Sequence, residues 1–346
     1  MERLCLYAGA VTSPNVERLL SNLTAVLAPE WSVDIVAADP VALGLDETDA
    51  RVRSYEPPTV RDGYRTLSTH VAETEPAAVL QVTRPPTHGT VAGLAARRHE
   101  VPFVYRYSGD RFYEYRVARG RDRLPALAIG AALGRLPLRL ADRHVALGPT
   151  GRRRLLARGV HSERTVVLPP AVDPDRFTGT DPATLDVPDD RHVAMFVGRL
   201  SRLKGVESLE AAIPAVVDRR PDLQFVLVGP RERRLDLPPE ARDRVTYVDP
   251  VPPAEITGLL RAADVLVHPS LTEGIPRVVL EALAAETRVL ARDVGDVASV
   301  TDNTFQADAE LVDALTDFET LPLDDVTPFT VDALAPRYRD FFERFR

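Results

Sequence analysis

The chain has 346 residues, 45% hydrophobic and 27% charged, a formal net charge of −8 and a single cysteine, Cys5. That length suits two domains, and the composition excludes a disordered or fibrous chain. One cysteine excludes an internal disulfide and fits a reducing, cytoplasmic compartment, and no run of 18 apolar residues is present to cross a membrane.

The opening Met-Glu-Arg-Leu-Cys-Leu-Tyr reads as a first strand rather than a signal peptide. Leu4–Tyr7 predicts a strand, Asn15–Leu27 a helix and Val33–Ala37 a strand. Ala78–Val82, Phe103–Tyr107, His144–Leu147 and Thr165–Leu168 predict further strands, with Thr90–Arg98 and Thr150–Ala157 as helices among them. Short apolar runs alternating with amphipathic stretches argue for a parallel sheet covered on both faces. Residues 111–158 hold 12 arginines against 3 acids in an otherwise acidic chain, which points to an anionic partner or to solvated helix faces. Within it, Leu124 to Leu140 is apolar and flanked by arginine. It fits a helix lying on an anionic membrane surface or an ordinary core helix, and no nucleic-acid-binding module is visible.

Residues 173–190 are rich in Pro and Asp without periodicity and predict a linker. The pattern then restarts. Val193–Val197, Gln224–Val228, Val245–Val248, Val265–His268 and Val289–Ala291 predict strands, and Gly205–Arg219, Pro253–Arg261 and Ile275–Ala285 predict helices. The expected division is 1–172, a linker at 173–190, 191–330, and a strap helix at 331–346. Two doubly wound α/β domains of this kind bind ligands outside the carboxyl ends of their strands, here in the cleft between them.

Lys204 is the only lysine; every other one of the 43 basic side chains is arginine. The abundance of Asp and Arg resembles a halophile with a GC-rich genome. Keeping one compact, flexible ammonium against that bias marks a position that needs its shape. It lies in Phe196-Val-Gly-Arg-Leu-Ser-Arg-Leu-Lys-Gly205, between a strand and a helix, with neither Gly-x-Gly-x-x-Gly nor a Walker loop present. Gly198 lets a ligand approach the backbone. Arg199, Lys204 and the helix N-terminus can converge on one anion, each charge-assisted bond contributing roughly 1.5–3 kcal/mol. The plain alternative is a surviving surface lysine. Further on, Glu273 follows a strand, Gly274 permits an unusual turn, and Pro276 suits a first helical turn. Glu281, among Leu280, Ala282 and Leu283, is a carboxylate that an apolar helix would normally avoid. The pair can accept hydroxyl protons from a ribose and a sugar, or can be one capping and one solvent-facing glutamate.

These segments resemble the retaining, GT-B-fold glycosyltransferases of family 4. The matching pieces are Phe196–Gly205, the Phe225-Val-Leu-Val-Gly229 strand, Ala262-Ala-Asp-Val-Leu-Val-His-Pro-Ser270, Glu273 with Glu281 after seven residues, and Leu168-Pro-Pro-Ala-Val-Asp-Pro-Asp-Arg-Phe177. The resemblance implies a GT-B fold of two Rossmann-like domains facing across a cleft. It implies a nucleotide-diphosphate sugar as donor, a glycan or lipid-linked acceptor, and no cofactor or metal. Arg199 and Lys204 would hold the diphosphate, Glu281 the ribose and Glu273 the transferred sugar, with amides of Gly274 and Ile275 touching sugar or phosphate. Asp173-Pro-Asp175 mimics a metal motif but lies in the linker. The first loop carries only Gly9 where the family has several glycines. Asp249-Pro-Val-Pro-Pro253 departs from the family's base-contacting segment, and Asp110 stands where the family places a first-domain residue facing the donor sugar. The alternatives are a nucleotide-sugar epimerase, a phosphorylase, or a catalytically silent sugar-nucleotide-binding or scaffolding protein. The Glu273/Glu281 spacing argues against the epimerase. A phosphorylase would need a pyridoxal lysine, and the only lysine is already engaged.

Overall fold

A computed structural model describes residues 2–10, 15–28, 30–38, 50–109, 123–128 and 134–346. The chain divides into two compact units, Met1–Ala171 with Phe329–Arg346, and Val172–Pro328.

In the first unit, parallel strands β1 (Arg3–Ala10), β2 (Ser32–Ala38), β3 (Arg51–Tyr55), β4 (Ala78–Gln81), β5 (Phe103–Tyr107), β6 (Arg143–Ala146) and β7 (Thr165–Val167) form a sheet in the order β3-β2-β1-β4-β5-β6-β7. Side chains alternate along each strand, so β1 sends Leu4, Leu6 and Ala8 to one core and Cys5 and Tyr7 to the other. The first core is covered by Leu20, Leu23 and Leu27 of the Asn15–Leu27 helix and by Leu334, Tyr338, Phe341 and Phe342 of the Val331–Phe342 helix. Leu67 and Val71 of the Val60–Thr74 helix and Ala92, Ala95 and Ala96 of the Pro85–Arg98 helix cover the second. Both faces are buried, as a parallel sheet requires.

The second unit repeats the arrangement with β8 (His192–Val197), β9 (Leu223–Val228), β10 (Val245–Val248), β11 (Val265–His268), β12 (Arg288–Arg292) and β13 (Thr304–Phe305) in the order β10-β9-β8-β11-β12-β13. Chain order reverses between β8 and β11, and such a switch point leaves a crevice beyond the strand ends. The corresponding point in the first unit lies between β1 and β4.

The structure differs from the expected elements in several places. β3, the Val60–Thr74 helix, β13 and the Asp308–Thr316 helix were not expected from the pattern. β3 is an edge strand with mostly exposed side chains, and β13 is two residues long, so neither shows an apolar run. The helix expected over Ile275–Ala285 begins at Arg277, because Pro276 disfavours helical backbone at the residue before it and is itself extended at φ −74°, ψ 122°. The Pro/Asp-rich stretch lies on the second unit. The amide of Ala183 donates to Gly258 O at 2.8 Å, and Phe177 is buried. Among the described residues, the arginine-flanked stretch holds two six-residue helices, Arg123–Ala128 and Arg135–Leu140. No described helix is long and apolar enough to cross a membrane.

Candidate functional site

The loops that follow β8 and β11 flank the switch point of the second unit, and they carry the predicted residues. β8 ends at Val197, and Gly198 donates its amide to Val228 O at 2.9 Å. A short 3-10 turn, Arg202–Lys204, then leads through Gly205 into the Val206–Arg219 helix. Lys204 is therefore separated by one residue, Gly205, from a 14-residue helix, at the end that carries the partial positive charge of the helix dipole.

Gly205 is held against the start of the second loop. Its φ is +77°, and a Cβ there would lie 2.0 Å from Pro269 O. Leu271 donates its amide to Leu203 O at 2.9 Å, which ties the two loops together. On the far side Gly295, at φ +66°, presses against Glu273 O, where a Cβ would approach to 2.1 Å. The amide of Asp296 donates to Gly274 O at 3.0 Å. Gly295, beyond β12, makes this tight approach at the positive φ that favours glycine. Arg292 completes the frame, donating from Nε to Pro269 O at 3.3 Å and from Nη2 to Ser208 Oγ at 2.7 Å and Asp308 Oδ1 at 2.8 Å.

Within this frame Lys204 Nζ donates to Glu273 Oε1 at 2.5 Å, and His268 Nε2 approaches the same oxygen at 3.2 Å. The Glu273 side chain is 14% exposed and that of Lys204 36%. His268 is buried at the end of β11. Burial pushes the Glu273 carboxyl pKa up, but the Lys204 charge and the His268 hydrogen bond outweigh it and hold the carboxyl well below the usual carboxylate range. The result is a fixed carboxylate beside a cation that keeps two further donor hydrogens. Such a pair can meet the hydroxyls of a sugar and the oxygens of a phosphate together.

Of the other predicted residues, Glu281 is buried on the Arg277–Ala284 helix and Ile275 is buried in the loop before it. Arg199 is largely exposed and pairs with Glu232 at 3.4 Å rather than with the Lys204–Glu273 group. Gly9 lies at the end of β1 in the first unit, under the ring of His88. Asp110 lies outside the described residues. Asp173 accepts the amide of Asp175 and pairs with Arg176 Nε at 3.2 Å, so it serves as a cap. Among the described residues no three His, Cys, Asp or Glu side chains converge as metal ligands would. Sequence reasoning missed His268, Arg292 and Gly295. Only His268 left a signal, as a lone histidine closing an apolar strand five residues before Glu273.

Residues 191–318 match the family described as Glycosyl transferases group 1, and residues 16–171 match the Glycosyl transferase 4-like domain. A D-inositol 3-phosphate glycosyltransferase of Corynebacterium jeikeium is 39% identical over 148 residues, which cover 37% of this chain and 35% of that protein. The chain spans between about a third and about a half of the length of the curated relatives it matches. Anabaena Alr3699/HepE, solved in complex with UDP-glucose, superposes with a TM-score of 0.69 at 17% identity, covering 99% of this chain and 95% of that one. The UDP-GlcNAc 2-epimerase of Neisseria meningitidis superposes with a TM-score of 0.66 at 15% identity, covering 99% and 100%. At such identities the likeness shows a shared α/β fold of the GT-B type. With both of its units matched by the two family descriptions in chain order, the chain belongs to the group 1 family of glycosyl transferases.

Proposed function

We propose that this chain is a retaining glycosyltransferase that moves a sugar from a nucleotide-diphosphate donor to a hydroxyl of a glycan or lipid-linked acceptor. The observation that carries this reading is the Lys204–Glu273 pair at the switch point between β8 and β11. In this reading Lys204 and the N-terminus of the Val206–Arg219 helix hold the diphosphate, and the exposed Arg199 joins them by leaving Glu232. Glu281 binds the ribose, Glu273 the sugar hydroxyls, and the amides of Gly274 and Ile275 touch sugar or phosphate. When the bond from the anomeric carbon to the phosphate oxygen breaks, positive charge grows on the sugar and negative charge on the diphosphate. Preorganised cations lower that barrier. The departing phosphate takes the acceptor's proton on the same face, so retention needs no second carboxylate. The diphosphate charge is met by protein groups, so activity is expected to survive chelation of divalent ions.

A thermal-shift screen against UDP- and GDP-sugars identifies the donor, since ligand at 100 times its dissociation constant adds about 2.7 kcal/mol. Donor hydrolysis or transfer by the wild type, lost in Lys204→Ala, is the expected result. Donor binding without turnover would favour a silent sugar-nucleotide-binding or scaffolding protein, and inversion at the sugar C2 of a UDP-sugar would favour an epimerase. A second reading, peripheral attachment to the inner face of a membrane through residues 111–158, is favoured by Leu124, Leu127 and Leu136, exposed by 74%, 41% and 42% beside arginines. Flotation with anionic vesicles at low salt tests it, and absence of binding ends it.

A further inference from the structure

We infer that His268 is a positioning residue that fixes the carboxylate of Glu273 for the sugar, an inference resting on the role proposed for Glu273. Two donors meet at one carboxylate oxygen: Lys204 Nζ at 2.5 Å and His268 Nε2 at 3.2 Å from Glu273 Oε1. A carboxylate only accepts, so His268 must carry its proton on Nε2 in this contact. Its Nδ1 is buried without a partner, which suits a neutral ring with a lone pair there better than a second buried N–H.

The two donors differ in freedom. Lys204 ends a short turn on a flexible stem and is 36% exposed along its side chain, whereas the His268 side chain, on a fully buried strand, is 3% exposed. When a diphosphate arrives, Lys204 can turn part of its donor capacity to the phosphate. His268 has no such alternative, and it keeps Oε1 engaged. Oε2 is thereby left to accept from sugar hydroxyls in one orientation. His268 touches neither donor nor acceptor in this scheme; it acts through Glu273.

Two measurements test it. Long-range nitrogen–proton NMR spectra of the ligand-free protein, with His268 assigned by Leu substitution, should show the Nε2-protonated tautomer. An Nδ1-protonated ring would overturn the inference, because Nε2 could not then donate. Calorimetric affinities provide the second test, for UDP-glucose and UDP or for whichever sugar nucleotide, with its parent nucleotide, the thermal-shift screen selects. Glu273→Gln and His268→Leu should each lower affinity for UDP-glucose about tenfold while leaving UDP within twofold, and His268→Gln, which keeps a donor N–H, should recover most of the loss. Loss of discrimination in Glu273→Gln but not in His268→Leu overturns this inference alone. Unchanged discrimination in Glu273→Gln overturns the role of Glu273 itself. Equal weakening of both ligands by His268→Leu would assign the histidine a purely structural role.

Discussion

Lys204 stands against the composition of the whole chain, and the structure gives that exception a physical partner in Glu273. A guanidinium could pair with the same carboxylate, but its planar fork would span both oxygens and extend further than an ammonium. Lys204→Arg is therefore expected to fold normally and to lower kcat/KM for the donor at least about tenfold, in line with the loss of one preorganised donor. Full activity in that variant would remove the argument from composition while leaving the family assignment untouched. Lys204 was legible as a candidate because it is the chain's single lysine, and Glu273 through the resemblance of its segment. That they touch was not, since 69 residues separate them and no local pattern encodes a contact at that range. Arg199 illustrates the converse: its place after β8 was legible, yet in the structure it turns to Glu232.

Among the elements, three loops after β8, β11 and β12 make the site, and glycines let their backbones meet. Gly295→Ala would force a Cβ to 2.1 Å from Glu273 O at a φ of +66°. The expected cost is about 2 kcal/mol or more, measured by denaturant unfolding, with donor affinity falling as the Glu273 loop shifts. A stability change below about 0.5 kcal/mol would mean the loops yield easily and the frame is soft. The strands and helices beneath these loops were readable from apolar period alone, because both sheets are buried on two faces. β3 and β13 escaped because edge strands carry little of that signal.

Across the molecule, the two units titrate differently. His144, buried on β6 with Nε2 3.1 Å from Leu138 O, has its pKa lowered by burial to about 4 from 6.5. Between those values the unfolded chain binds a proton that the folded one refuses, so stability of the first unit falls as pH drops through that window, by up to about 3 kcal/mol. Glu273 acts in the same direction in the second unit, but in a lower pH window. Its depressed pKa contributes stability that is fully present above the unfolded carboxyl value and is lost progressively as pH falls below it toward the folded value. Calorimetry between pH 7 and pH 4.5 should show one transition moving down more than the other, and His144→Gln should flatten that movement.

The Val331–Phe342 helix closes the core of the first unit after the chain has built the second. Tyr338 Oη donates to Pro169 O at 2.7 Å, and Phe342 packs edge-on against Trp31 at 6.4 Å. Deleting residues 331–346 removes four large buried side chains, each worth about 2–5 kcal/mol when truncated. The first unit is expected to lose cooperative unfolding while the transition of the second survives. Retention of both transitions would show that the strap is dispensable.

The sequence by itself determined that the chain is α/β throughout and built twice, and it singled out Lys204 and Glu281 as residues unlike their surroundings. These follow from local periodicity and from residues that violate their surroundings. Only the tertiary structure decided that Lys204 and His268 meet one oxygen of Glu273, that Gly295 packs against the Glu273 loop, and that the last helix completes the first core. Each of these depends on backbone segments brought together by sheet order, and contacts of that kind leave no periodic trace along the chain.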